Sequence, residues 1–304
     1  MKEICVIGSS NTDLVVKSRR FPQQGETIIG DRFFMNPGGK GANQAVAAAR
    51  LQGKVGFVSC LGDDLFGASS LQNLQNQGIS TALIKTVNQP SGVALITVNQ
   101  KGENTIVVAP GANNLLDTKL IDKAFEQLKE QSILLLQLEI PLESVLYAVI
   151  EGTKRGHQVI LNPAPGQPLP EHIYRHLFIL TPNETETEIL TGIKITDDES
   201  ARRAARVLLR RGAENVIITR GAKGAFLQGK EMEKLMPALP VSKLVDTTAA
   251  GDCFNGALAV GIAQGMSIIE AAEFGSKAAS LSVTRLGAQS SLPTLDETLK
   301  INSN

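Results

Sequence analysis

A regular alternation of apolar runs and amphipathic stretches in the second half of the chain most constrains the fold. The helical stretches lie at 117–131, 142–155, 184–191 and 198–211, and the apolar runs at 133–139, 158–162, 178–180 and 215–219. Alternation of this kind is typical of parallel strands joined by crossover helices. We therefore predict a three-layer α/β fold in which a largely parallel central sheet is flanked by helices.

Polar residues recur where the predicted strands end. The first strand, at residues 4–8, is followed by Asn11 and Asp13. The later polar residues of this kind are Glu139, Asn162, Asn183 and Thr219. Any one of them can be a turn or cap residue. A parallel sheet gathers such ends along one edge, where ligands of open α/β sheets bind, so their recurrence favours a site.

Two stretches contain strand signals without intervening helices. Strand-like runs occur at 14–16 and 26–29, and the runs 92–98 and 105–108 flank a turn at 99–102, which predicts a hairpin. We predict a small β-sheet lid made of residues 14–35 and 91–108. Residues 1–13, 36–90 and 109–304 would then form the main substrate- and nucleotide-binding domain.

Composition excludes several classes of partner. The 304 residues carry 30 basic and 30 acidic side chains, so no basic field is offered to nucleic acid or to a membrane surface. The arginine run at 202–211 is interpreted as a solvated helix face. No run approaches the about 20 apolar residues of a membrane span, and the apolar run at 4–8 is too short for a signal peptide. Three scattered cysteines favour a reduced, cytoplasmic protein.

The stretch 245–256 carries the clearest chemical signal. We interpret it as a strand end, a tight turn of small residues and the first turn of a helix that contains Asp252. Unpaired N–H groups at a helix start bind anions. A carboxylate there can simply favour the helix, but phosphoryl transfer also needs an anion site beside a base.

A second glycine-rich stretch, at 37–44, opens a helix that continues through residue 51. Its paired glycines would let a polar ligand meet backbone N–H groups, and Lys40 and Asn43 would add side-chain donors. The chain contains no Walker A sequence, and no Gly-x-Gly-x-x-Gly opens its first crossover, so a dinucleotide site is not expected. An ordinary glycine-rich helix entry is the alternative.

These stretches resemble the PfkB-type carbohydrate kinase family along nearly the whole chain. Residues 37–45 (PGGKGANQA) are similar to its N-terminal signature, 246–252 (DTTAAGD) to its C-terminal signature and 181–186 (TPNETE) to its Asn-x-x-Glu motif. The residues GGKGANQA of the first signature point to those members of the family that phosphorylate ribose. The resemblance thus implies ATP-dependent phosphorylation of D-ribose at its 5-hydroxyl, with a related kinase for deoxyribose or fructose as an alternative. A non-catalytic sugar sensor is a second alternative.

The resemblance also implies roles for individual residues. Asp252 would be the base, and the amides of Ala249, Ala250 and Gly251 the anion hole. The expected sugar ligands are Asn11, Asp13, Gly39, Lys40, Asn43, Glu139 and Asp252. The expected ATP-binding residues are Asn183, Thr219, Arg220, Gly221, Ala222, Lys223, Gly224, Gly251, Asp252 and Ser276. Glu186 would organise Mg²⁺ through water.

The family resemblance extends to a monovalent cation and to assembly. The expected K⁺ ligands are Asp246, Thr248, Ser282, Arg285, Gly287 and Ser291. A flat lid with one apolar face would let two copies form a homodimer. The chain departs from the pattern at Cys253, where threonine is usual, and a thiol beside a helix N-terminus is expected to be acidic and open to oxidation. His172 and His176 lack a third ligand and are interpreted as surface residues rather than a zinc site.

Overall fold

A computed structural model describes residues 1–301, which form two sheets and nine α-helices. The strands are β1 Ile4–Ile7, β2 Asn11–Lys17, β3 Arg32–Gly38, β4 Val55–Gly62, β5 Ile84–Val87, β6 Gly92–Val98, β7 Asn104–Ala109, β8 Ile133–Leu136, β9 Gln158–Leu161, β10 Ile179–Leu180, β11 Asn215–Thr219, β12 Ala225–Gly229 and β13 Glu233–Met236. The helices are α1 Lys40–Arg50, α2 Leu65–Asn76, α3 Thr118–Gln127, α4 Leu142–Lys154, α5 Glu184–Thr191, α6 Asp198–Arg210, α7 Ala250–Ala263, α8 Ile268–Ser282 and α9 Leu295–Leu299.

The larger sheet has nine strands in the order β13-β12-β11-β10-β9-β8-β1-β4-β5. Strands β5 to β11 in this order pair in parallel, and β12 and β13 add an antiparallel edge. Strands β1 and β8 are buried along their whole length. Their continuous apolar sequences follow from this, since helices cover both faces of a parallel sheet. The predicted three-layer α/β fold is confirmed.

Two apolar clusters fill the spaces on either side of the central sheet. One cluster joins the sheet to α1, α7 and α8, and the other joins it to α3, α4 and α6. Helices α1, α7 and α8 contribute many alanines to the first cluster, so these helices lie close together. A Cβ added at Gly256 of α7 would lie 2.6 Å from the Ala47 Cβ of α1. This close packing sets α7, which bears Asp252, directly against α1.

The smaller sheet has four strands in the order β3-β2-β6-β7, with β2 and β6 parallel and the two outer pairs antiparallel. The lid sheet and the hairpin of β6 and β7 are confirmed. The strand predicted at 26–29 is wrong, because Ile29 is 89% exposed there and Glu26 caps a turn by accepting from the Gln23 N–H. Residues 32–38 pair with β2 instead, in register from Arg32 opposite Lys17 to Gly38 opposite Asn11.

Two further expectations about elements need correction, and one hairpin was not predicted. No strand ends at Val245, whose N–H donates to the Val283 carbonyl at the end of α8. The helix predicted at 117–131 ends at Gln127, and Gln131 has a left-handed φ of 60° that a helix cannot contain. The hairpin of β12 and β13 was not predicted, although Gly229 begins its turn by donating to the Met232 carbonyl.

None of the helices within residues 1–301 combines the length and the apolar character needed to cross a bilayer.

Candidate active site

A cleft of about 810 Å³ opens at the carboxyl edge of the central sheet. It runs from Lys40 and Asp252 at one end to the loop 219–224 after β11 at the other. The predicted residues that line it are Lys40, Asn183, Glu186, Thr219, Arg220, Gly221, Ala222, Gly224, Ala249, Ala250, Gly251, Asp252 and Ser276. A parallel sheet brings the ends of its strands to this edge, which explains why residues so distant in sequence meet.

Glycines at the start of α1 allow several backbones to meet beside Lys40. A Cβ at Gly38 would lie 2.4 Å from an Asp13 carboxylate oxygen, and a Cβ at Gly41 would lie 2.6 Å from the Ser9 backbone nitrogen. Gly39 has a φ of +87°, and a Cβ there would lie 2.6 Å from the Asn11 nitrogen. Gly39 and Gly41 therefore exclude any side chain, and a side chain at Gly38 would displace the Asp13 carboxylate, which places Asn11, Asp13 and α1 within contact of one another.

Asp252 lies in the first turn of α7, which starts from the left-handed residue Ala249. The Ala250 N–H donates to the Thr247 carbonyl at 3.2 Å, so it is partly used by the protein itself. Within residues 1–301, the N–H groups of Ala249 and Gly251 have no acceptor. Two of the three predicted anion-hole donors are thus free at the positive end of a helix.

The Asp252 carboxylate is 6% exposed and is held on both oxygens. Asn43 Nδ2 donates to Oδ2 at 2.9 Å, and Gln44 Nε2 donates to Oδ1 at 3.0 Å. Burial raises the pKa of Asp252 above its usual value, while Lys40 and the two amides act to lower it. A general base works best when its pKa lies nearer the working pH, and burial moves Asp252 in that direction.

A group of charged side chains surrounds Lys40. Burial and the nearby carboxylates of Glu139 and Asp252 raise the pKa of Asp13 to about 7, against the opposing effect of Lys40. Burial alone would lower the pKa of Lys40, but the carboxylates of Asp252, Glu139, Glu186 and Asp13 outweigh it and raise the value. The site therefore contains several acceptors around one ammonium group.

Two of the predicted sugar ligands are oriented by residues that we did not predict. Asn113, in the turn after β7, donates to Asn11 Oδ1 at 2.8 Å and accepts from the Ser10 N–H. Ser9 Oγ and the Lys40 N–H both donate to Glu139 Oε2, at 2.5 and 2.9 Å. The Asn11 amide nitrogen consequently points away from Asn113.

The far end of the cleft is made of small and apolar residues. It includes Ala222 and Gly224 after β11, Ser276 on α8, and the segment 238–244, which we did not predict. That segment has neither helical nor strand periodicity. The short apolar run Leu239-Pro240-Val241 was the only sequence feature that could have indicated a ligand surface there. Lys223 does not line the cleft; its ammonium lies 3.3 Å from Glu184. Arg220 is 7% exposed and pairs with Asp198 at 2.5 Å.

Asn183 and Glu186 are engaged with each other as a capping box at the start of α5. Asn183 Oδ1 accepts from the Glu186 N–H, and both Glu186 carboxylate oxygens accept from Asn183 nitrogens. Burial raises the pKa of Glu186, whereas the Asn183 N–H and Lys40 lower it. Glu186 lines the cleft, and each of its carboxylate oxygens accepts one bond and can accept another, which suits contact with a hydrated cation.

The residues predicted to hold K⁺ lie behind the α7 turn. Asp246 accepts from the Thr248 N–H and from the Gly287 N–H, each at 2.9 Å. Ser282, Arg285 and Ser291 belong to the adjoining segment, and their side chains bond to Ala279, Glu297 and Ala288. The structure thus brings Asp246, Thr248 and Gly287 together. Backbone oxygens remain as the other candidate ligands for the cation.

The expectation of an acidic thiol at Cys253 is wrong. Cys253 is fully buried, and burial raises its pKa to about 12 despite a hydrogen bond with Ser282. The helix turns this side chain away from the cleft and into the core against α8. A neutral, inaccessible thiol is not expected to oxidise readily.

Comparison with known proteins identifies relatives along nearly the whole chain. Residues 1–295 match the pfkB family carbohydrate kinase model. Ribokinase from Haemophilus influenzae is 45% identical over 98% of both chains, and deoxyribokinase from Salmonella typhi is 41% identical over 97% of both. The crystal structure of ribokinase from Thermotoga maritima superposes with a TM-score of 0.90 at 42% identity and 98% coverage of both chains. The structure of Arabidopsis thaliana ribokinase complexed with ribose and ATP gives a TM-score of 0.90 at 32% identity and the same coverage.

The full-length matches, the two-sheet fold and the carboxylate beside free helix N–H groups all indicate the same family. The chain belongs to the pfkB family of carbohydrate kinases.

Proposed function

We propose that the protein is a ribokinase, which transfers the γ-phosphate of ATP to the 5-hydroxyl of D-ribose. The observation that carries the proposal is the position of Asp252. Its carboxylate is buried between the cleft and the polar pocket formed by the predicted sugar ligands, and it is adjacent to the free N–H groups of Ala249 and Gly251. The relative from Haemophilus influenzae, at 45% identity, and two structural relatives at TM-scores of 0.90 are ribokinases, which supports ribose as the sugar.

The polar pocket suits a polyhydroxyl ligand. We propose that Asn11, Asp13, Gly39, Lys40, Asn43 and Glu139 bind the sugar. A hydroxyl both donates and accepts, so a pocket that combines carboxylates, amides and an ammonium group can satisfy each one. Asn43 Oδ1 is buried without a partner within residues 1–301, which leaves an acceptor beside Asp252 for a sugar hydroxyl.

In the proposed reaction Asp252 accepts the proton of the 5-hydroxyl as its oxygen attacks the γ-phosphorus. The bond to the β-phosphate oxygen breaks, and ADP leaves. The N–H groups of Ala249, Ala250 and Gly251 would stabilise the negative charge on the transferring phosphoryl group. The Ala250 N–H would exchange its long bond to the Thr247 carbonyl for one to phosphate.

The opposite end of the cleft would hold the nucleotide. We propose that ATP lies along Asn183, Thr219, Gly221, Ala222, Gly224 and Ser276, with Arg220 in the wall behind it. The apolar segment 238–244 offers a surface for the base. Lys223 points toward Glu184 and would act on the phosphates only after leaving that partner.

Two cations would assist. Mg²⁺ bound to ATP neutralises phosphate charge, and Glu186 would contact it through water. K⁺ would bind Asp246, Thr248, Gly287 and backbone oxygens near Ser282, Arg285 and Ser291, and would fix the anion turn from behind. Full activity in K⁺-free buffer would contradict the K⁺ site.

Deoxyribose is the strongest alternative substrate. The relative from Salmonella typhi named deoxyribokinase is 41% identical, close to the 45% of the relative named ribokinase. The two sugars differ by one hydroxyl, which a few pocket side chains discriminate. A fructose kinase is a weaker alternative.

The test is a coupled assay of ADP formation with a panel of pentoses and hexoses. We expect kcat/KM to be highest for ribose, with little ADP formed in the absence of sugar. A higher value for 2-deoxyribose or fructose would overturn the ribose assignment, and binding of ribose without any turnover would indicate a sensor.

We also propose a homodimer formed through the lid. The register places Phe33, Met35, Leu95 and Val107 on one face of the four-stranded sheet, and each is at least half exposed. Val15, on the opposite face, is buried. An exposed apolar face of this kind favours pairing with a second copy, and sedimentation of a Met35→Asp variant as a monomer is the expected result.

A cytoplasmic location is proposed from the cysteines. Cys5, Cys60 and Cys253 are all free and buried, which suits a reducing compartment.

A further inference from the structure

A chain of three buried side-chain amides lies beside the Asp252 carboxylate, and of the three Asn162 also lines the cleft. It runs from Gln137 at the end of β8, through Gln44 on α1, to Asn162 after β9. Gln44 and Gln137 are both 0% exposed, and neither lines the cleft. Nothing in the proposed sugar or nucleotide contacts involves these two glutamines.

The orientation of every amide in this chain is fixed from one end. The Thr181 carbonyl can only accept, so Asn162 must direct Nδ2 toward it, at 3.1 Å. Asn162 then directs Oδ1 toward Gln44, whose Nε2 donates to it at 3.1 Å. The remaining Nε2 hydrogen of Gln44 donates to Asp252 Oδ1 at 3.0 Å, so both donors are used.

The other end of the chain is Gln137. Gln44 Oε1 must face away from Asp252, and Gln137 Nε2 donates to it at 2.6 Å. Gln137 Oε1 is thereby left buried without a partner within the described residues. A Cβ at residue 8 would lie 2.1 Å from that oxygen, so only Gly8 leaves room for it. The Gln137 amide is thus fitted against Gly8 with its nitrogen committed to Gln44.

We propose that Gln44 is a positioning residue for the phosphoryl transfer, whose amide nitrogen, held by Asn162 and Gln137, fixes the orientation of the Asp252 carboxylate toward the cleft. With Asn43 on Oδ2 and Gln44 on Oδ1, the carboxylate cannot rotate without losing both bonds. One lone pair on each oxygen remains for the attacking hydroxyl. The inference rests on the proposed role of Asp252 as the base.

Other charges also act on Asp252 and define what a pH experiment measures. Lys40 on α1 lowers its pKa and Glu139 after β8 raises it, while Asp13 on β2 and Glu186 on α5 are coupled to it. None of these groups changes when Gln44 is replaced. Loss of the Gln44 donor alone should therefore raise the pKa of Asp252.

The test compares Gln44→Met, Gln44→Glu and the control Gln228→Met, each assayed with the sugar that the wild type phosphorylates fastest. Gln228 is also buried, at 9% exposure, and lies on β12 away from the cleft. For Gln44→Met we expect kcat to fall by about 10- to 100-fold. The sugar KM should change little, and the acid limb of the kcat profile should move to higher pH. Gln228→Met should retain wild-type kcat, KM and pH profile.

Gln44→Glu keeps the side-chain length and places a second carboxylate beside Asp252. We expect the acid limb to move upward by about one pH unit, so that part of the lost kcat returns at alkaline pH. If Gln44→Met does not fold, this variant decides alone. Wild-type acid limbs in the folded Gln44 variants, or a loss of kcat that follows thermal stability without a shift of the limb, would overturn the proposal. An active Asp252→Asn enzyme would instead overturn the proposed base itself.

Discussion

The two ends of the cleft are built by different means. At the sugar end, Asp13 and Lys40 are partly buried, Asp252 is buried, and other ionisable or amide groups surround them. At the nucleotide end, small residues after β11 line a largely apolar surface together with Ala238, Leu239, Pro240, Val241 and Leu244. A pocket of oriented polar groups discriminates strongly among ligands, whereas an apolar surface discriminates weakly. We therefore expect selectivity to reside at the sugar end.

The backbones of the two ends differ in the same way. Around Gly41 the chain is packed against the backbone of Gly8 and Ser9, while Gly251 in the anion turn has nothing within 4 Å of an added Cβ. The sugar end thus depends on contacts between distant segments. The anion turn depends on its own conformation, which leaves it accessible to phosphate.

The largest expected effect is a difference in stability between two glycine-to-alanine variants, Gly41→Ala at the sugar end and Gly251→Ala in the anion turn. Gly41→Ala would push against backbone atoms at 2.6 Å, and we expect it to destabilise the fold by about 3 kcal/mol or more. Gly251→Ala, the matched control in the first turn of α7, should change stability by less than about 1 kcal/mol. Urea unfolding of both variants measures the difference, and equal losses would contradict this contrast between the two ends.

Asp13 tests the electrostatic half of the contrast. Its pKa rises from 3.8 in the ordinary carboxyl to about 7 in the folded protein, so the native state binds more protons than the unfolded state between these values. Stability is therefore lost as pH increases through this window. Asp13→Asn abolishes the titration, and its stability advantage over the wild type should grow by about 2 kcal/mol from pH 5 to pH 8.

Denaturant unfolding at the two pH values measures that change. A pH-independent difference would show that Asp13 is not electrostatically strained. Because Asn cannot accept as strongly from sugar hydroxyls, we also expect the ribose KM of this variant to rise.

A smaller effect is expected at the nucleotide end. Ala279 on α8 lines the cleft beside the apolar segment, and Ala279→Leu would occupy part of the space for the base. We expect the ATP KM to rise by about tenfold, because one poorly accommodated side chain is worth roughly 1–3 kcal/mol. The ribose KM of the same variant is the internal control, and an equal rise in both constants would mean that the two ends are not separate.

The smallest effect is expected at Cys253. Since its thiol points into the core and stays neutral, Cys253→Ser should keep kcat within about twofold and lower stability by about 1 kcal/mol. Alkylating reagents should leave the native wild-type enzyme active. Rapid inactivation with labelling of Cys253 would contradict the buried position.

The parts of the fold that the sequence predicted well carry local signals. Helix α5 begins at the Asn183 capping box and ends at Gly192, whose φ of 74° stops the helix, and its bounds agree with the prediction. Strand β11 is a continuous apolar run and also agrees. The run at 26–29 has equally good strand residues, but no neighbouring strand pairs with it, so local propensity failed there.

The same distinction applies to the site. The glycine loop, the anion turn and Asp252 lie in two short stretches and were predicted with their neighbours in sequence. The hydrogen bonds of Gln44 were not predicted, because its partners Gln137, Asn162 and Asp252 come from three other parts of the chain. Burial likewise reversed the expectation for Cys253, since the sequence does not show which face of α7 points inward.

The central claim is that Asp252 takes the proton of the sugar hydroxyl while the α7 turn holds the phosphoryl group. The most direct test is kcat for ribose phosphorylation by Asp252→Asn, whose amide keeps the size of the side chain but cannot accept the proton. We predict a loss of at least about 10³-fold, with folding intact and ribose still bound. A kcat within a few-fold of the wild type would contradict the account.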